Sequence, residues 1–94
     1  MIKELKNYLN ITWSDEDTDT KIQGILDRAT AILNNYAATS IDYGVAVNHK
    51  QLLFDCCRYI YNDAYEDFKH NYREELIMLR AEYSEVLDND EETE

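Results

Sequence analysis

The sequence predicts an all-α fold, a small bundle of about four helices with one irregular loop between the second and the third. Three observations carry this. Proline is absent and the only glycines are Gly24 and Gly44, so little in the chain breaks a helix. Apolar residues recur with helical period over most of the length. A single stretch, residues 37–47, lacks that period. The 94 residues make one domain, residues 1–87, followed by an acidic tail, 88–94, expected to be disordered.

Ile2, Leu5 and Leu9 predict a short first helix over residues 2–9. Asn10 to Ser14 connect it to the second, for which Ser14 or Thr18 is the expected cap. Asp15, Glu16, Asp17 and Asp19 crowd that helix start, where the backbone dipole favours negative charge. Ile22, Ile25, Leu26, Ala29, Ile32, Leu33 and Tyr36 then fall on one side of a helix that packs along a single face. Between residues 41 and 47, Ile41, Tyr43, Val45 and Val47 alternate with smaller or polar residues, a weak strand-like pattern. An ordered loop over the core is the plain expectation. The functional alternative is an extended arm that pairs with a neighbouring subunit.

The third helix is expected from Asn48, with Gln51 as its capping partner, to about Glu66. Its stripe is Leu53, Cys56, Cys57, Ile60 and Ala64, flanked by Leu52 and Tyr59 on one side and by Phe54, Tyr61 and Tyr65 on the other. At about 100° per residue these positions cover about 240° of the helix, too wide for one buried face. The helix is therefore either central in the bundle or covered on a second side by another chain. Phe54, Tyr61 and Tyr65 form a row that makes them, with Ile41, Tyr43, Val45 and Val47, the candidate intersubunit or partner contacts. A turn near Asp67 leads to a last helix, about Phe68 to Leu87, with Tyr72, Leu76, Leu79, Tyr83 and Leu87 on its stripe and Ile77 and Met78 off it.

Reactive chemistry is sparse, and no catalytic, metal or cofactor residue is predicted. Asp15, Asp17 and Asp19 have the opening spacing of a calcium loop, but the turn glycine falls on Thr20 and the bidentate acid on Leu26. His49 and His70 lie 21 residues apart with none of the pairings a zinc or di-iron site needs. Cys56 and Cys57 are neighbours that a disulfide would strain, and an apolar face raises a thiol pKa. Net charge is −11, which opposes direct binding to nucleic acid. No run is long and apolar enough for a membrane span, and the charged start Met1 to Lys6 is unlike a signal peptide, so use in a cytoplasm is expected.

Leu5-Lys6-Asn7-Tyr8-Leu9, the acidic entry Asp15-Glu16-Asp17, the series Ile22, Ile25, Ala29, Ile32 and Tyr36, then Leu52-Leu53, Arg58-Tyr59-Ile60 and Asn71-Tyr72-Arg73-Glu74-Glu75-Leu76 carry a resemblance. In length, helix order and opening segment the chain resembles the head–tail connector (adaptor, head-completion) proteins of tailed bacteriophages and their prophage relatives. Many members have a proline near the start of the third helix, where this chain has Asn48. The resemblance implies a structural virion protein, not an enzyme, that forms a ring of about twelve copies. Its partners would be the portal protein and a tail or stopper protein, with DNA passing through the channel without specific binding. Such a subunit sits in the virion, after assembly in the host cytoplasm. The alternative is an acidic regulatory or DNA-mimicking binding module of a phage or prophage. Charge gathered at one helix start and in the tail suits mimicry poorly.

Overall fold

The computed structural model describes residues 1–92 except Ala46, and side chains are described to Ser84 apart from Val47. Among the described residues there are five helices and no strand: α1 (Ile2–Tyr8), α2 (Glu16–Ala37), α3 (Val47–Tyr61), α4 (Tyr65–Asn71) and α5 (Arg73–Glu92). The fold is all-α, with one helix more than the sequence predicts. α2 lies at the centre of the arrangement, packed along both α3 and α5, with α1 against its start and α4 joining α3 to α5.

Three helices end in the same way, and none uses glycine. After α1, α2 and α3 the chain passes through Asn10, Ala38 and Asp63, each left-handed, with φ of 62°, 59° and 57°. At each, the next amide reaches back five residues: Ile11 N to Lys6 O at 2.9 Å, Thr39 N to Asn34 O at 3.2 Å, Ala64 N to Tyr59 O at 2.7 Å. The left-handed residue's own amide reaches back three, to Asn7, Asn35 and Ile60 respectively. These are Schellman caps, which satisfy carbonyls that the helix leaves open. Asn and Asp tolerate the left-handed region, whereas Ala38 bears its steric cost.

The cap at Asp63 corrects the sequence reading of the third helix. The chain turns at 62–64, not near Asp67, so Tyr65 belongs to α4 and the row Phe54, Tyr61, Tyr65 does not share one helix face. α3 also begins at Val47, which places Asn48 inside its first turn. Between α4 and α5 there is no chain reversal. Tyr72 leaves helical geometry at φ −108°, yet the bonds Tyr72 N to Phe68 O and Leu76 N to Tyr72 O, each 2.9 Å, bridge it. α5 runs past Leu87 to Glu92, and the expectation of disorder over 88–94 falls on residues whose side chains lie outside the described ones.

α2 is capped by Asp15, not by Ser14 or Thr18. Its carboxylate accepts from Thr18 N at 2.8 Å and from the Thr18 hydroxyl at 2.9 Å. Asp17 and Asp19 are already helical, so the acidic cluster is a helix start and not a calcium loop. Ser14 instead accepts from Lys6 Nζ at 3.1 Å, and Lys6, 8% exposed, is ion-paired to Asp19 at 2.8 Å. A buried ammonium requires such a partner.

The core is continuous from α1 to α5. Leu5, Ile22, Leu33, Leu53, Cys56, Cys57 and Phe68 are fully enclosed. Burial of each such aliphatic or aromatic side chain contributes roughly 1.5–3 kcal/mol. Phe68 ties α4 down: it stacks on Tyr72 at 4.7 Å between centroids and meets Tyr59 of α3 at 5.7 Å.

Candidate interaction surface

The wide apolar arc of α3 is closed by the chain itself. Leu52, Leu53, Cys56 and Cys57 face the interior. On one flank Phe54, 7% exposed, packs against Tyr8 of α1 at 5.8 Å. α1 is held there by the Tyr8 hydroxyl donating to Asp55 and by Lys50 paired to Glu4. On the other flank Tyr59 is covered by Phe68 and Tyr72. The flanks of α3 are thus covered by α1 and α4 of the same chain, while α2 keeps the central place.

The remaining sequence-predicted contacts divide into two groups. Ile41 and Tyr43 are buried, so this part of the 37–47 stretch is a loop laid on the core. Asn34 of α2 staples it, its Oδ1 accepting from Ile41 N at 3.2 Å and from the Tyr43 hydroxyl at 3.3 Å. Burial raises the Tyr43 phenol well above its ordinary value. Val45 is 79% exposed, and Val47 lies outside the described side chains. Tyr61 and Tyr65 are half-buried against α2, with the Lys21 ammonium and the Arg28 guanidinium each 5.4 Å from a ring centre. The six whose side chains are described therefore do not converge on one surface.

Beyond Val45, exposed apolar surface lies chiefly on α5. Leu76 and Leu79 face the core, while Ile77 and Met78 are 57% and 70% exposed. A groove runs along each side of the helix. One is lined by Tyr36, Lys69, Arg73, Leu76, Ile77 and Arg80, and is basic. The other includes Met78 with Glu75, Glu82 and His49, whose Nε2 lies 2.8 Å from Glu82. At the far end of α2, Trp13 is 52% exposed and donates through Nε1 to Thr18 at 3.0 Å, beside the acidic start.

Reactive groups do not assemble around these grooves. Burial pushes the Cys56 and Cys57 thiols up to about 12, so both are protonated packing groups. Among the described residues no group of three or more His, Cys, Asp or Glu is placed to hold a metal, and no helix is long and apolar enough to cross a membrane. Comparison with family models, curated proteins and solved structures finds no match to the chain.

Proposed function

We propose that this chain is a structural virion subunit, a head–tail connector that forms a ring under the portal and contributes to the DNA channel. The observation that carries the reading on the structural side is surplus apolar surface. The core is closed by the chain's own helices, yet Trp13, Ile77 and Met78 stay exposed on helix faces and ends. Single exposed apolar residues are ordinary; two adjacent ones on a helix flanked by grooves suit a protein contact. The all-α fold agrees with the resemblance, which supplies the rest of the reading.

The charge supports a passive role toward DNA. Net charge is −11, and on the outer face of α2 Asp27 is exposed beside Thr20, Gln23 and Gly24. A wall of that kind repels phosphates, so a duplex slides along it without being gripped. The reading involves no catalysis, cofactor or membrane.

The test is to mix the purified chain with a phage portal protein, then follow light scattering and negative-stain images. Rings bound to the portal are expected. A chain that stays monomeric and never co-elutes with the portal contradicts the proposal.

A further inference from the structure

Three of the nine Lys and Arg residues, Lys69, Arg73 and Arg80, gather around a single groove in a chain of net charge −11. The groove holds about 210 Å³, with Tyr36 of α2 and Leu76 and Ile77 of α5 as its apolar lining. Lys69 has a loose partner in Glu66 at 3.6 Å, and among the described residues neither Arg73 nor Arg80 is ion-paired. Aromatic, aliphatic and Arg groups around a shallow cleft form the composition of a contact hot spot. Its natural occupant is apolar and acidic.

One segment of the same chain has that chemistry. Trp13 projects at the start of α2, followed by Asp15, Glu16 and Asp17, all exposed. The groove lies at the other end of the same helix, at Tyr36, 20 residues beyond Glu16. At 1.5 Å per residue the two features are roughly 30 Å apart along a rigid helix, so one copy cannot satisfy its own groove. We infer that the Trp13–Asp17 end of one copy docks in the Tyr36–Ile77–Arg80 groove of a second copy. The contact is heterologous, so repeating it generates a ring if the rotation closes. Two reciprocal contacts would instead close a twofold dimer.

Net repulsion does not forbid this. At physiological salt the screening length is about 8 Å, which damps repulsion between whole subunits and leaves pairs in direct contact largely intact. The inference rests on the connector reading for the idea that copies meet, and on groove chemistry for where they meet.

The test is charge exchange between two variants, measured by sedimentation near 0.15 M salt. Arg73→Glu/Arg80→Glu makes the groove acidic; Glu16→Lys/Asp17→Lys makes the helix start basic and leaves the Asp15 cap in place. Wild-type chain is expected to associate, each variant alone to associate at least about tenfold more weakly, and the mixture to recover assembly by alternating the two. Recovery on mixing separates a lost contact from a lost fold. If both variants associate like wild type, this contact is wrong while a ring through other surfaces stands. Variants that stay apart when mixed, or wild-type chain that remains monomeric at millimolar concentration, also overturn it. Portal co-elution, measured separately, bears on the connector reading itself.

Discussion

α3 and α5 each carry a run of large apolar side chains, Leu52–Phe54 and Leu76–Leu79, yet the molecule treats them in opposite ways. α3 presents apolar groups around most of its circumference, and α1, α2 and α4 cover them. α5 packs one stripe on α2 and leaves Ile77 and Met78 outside. The difference teaches that a wide apolar arc does not by itself signal a partner. What signals one is apolar surface that remains after the chain's own helices have been placed.

The largest effects should come from breaking the closed side. Phe68→Ala empties the space beneath Tyr59 and Tyr72 and should cost about 3–5 kcal/mol, with Leu53→Ala close behind; denaturant unfolding checks both. On the open side, Ile77→Ser and Met78→Ser should change stability by no more than about 0.5 kcal/mol. Equal losses on the two sides would erase the comparison.

Tyr8→Phe tests how firmly α1 closes the flank of α3. Losing the bond to Asp55 should cost about 1 kcal/mol at neutral pH. Burial, and then the bond to Asp55, raise the Tyr8 phenol to about 12 from its ordinary 10. Its contribution is therefore fully present below pH 10 and is lost as pH rises from 10 through 12. Part of the alkaline loss of stability should disappear in the Phe variant. The rest is shared by Tyr43, Tyr65, Tyr72 and Tyr83 and by the Cys56 and Cys57 thiols, all of which burial also raises.

Ala38→Gly should stabilise the chain by about 0.5–1 kcal/mol, seen as a higher Tm, by relieving the left-handed strain after α2. The smallest effect is at Asp15. Hydrogen bonds from the Thr18 amide and hydroxyl hold its carboxyl below the usual range, so the cap is intact above about pH 4 and weakens as pH falls through the depressed value. Asp15→Asn caps without titrating; it should keep neutral stability and flatten the acid limb of the Tm–pH curve.

Much of this fold was legible in the sequence because period and burial go together. The α2 stripe is buried from Ile22 to Leu33, with Ile32 and Tyr36 half-buried beside it, as its spacing predicts. The turn at Asp63 was not legible. Left-handed caps usually announce themselves with glycine, and here Asn10, Ala38 and Asp63 take that place. Without that turn, periodicity alone puts Tyr65 on α3 and makes a row of aromatics that the chain does not have. The Asp15 cap was hidden among four acids and two hydroxyls, any of which can accept an amide.

The candidate surface was half legible. Ile77 and Met78 visibly fall off the α5 stripe in the sequence, but the wide apolar arc of α3 is the stronger sequence signal. Which apolar groups are surplus depends on which helix covers which, and periodicity does not contain that information. The basic groove needed the fold outright, since Tyr36 and Arg80 are 44 residues apart and meet only when α2 packs on α5.

The central claim is that α3 is finished by its own chain while α5 and the two ends of α2 face a partner. Hydrogen exchange of the free chain against the assembled one, self-associated or portal-bound, tests it most directly. New protection is expected in segments around Trp13–Asp19, Tyr36 and Arg73–Arg80, with α3 unchanged between Leu52 and Tyr61. New protection concentrated in Leu52–Tyr61, with α5 exchanging as before, would contradict it.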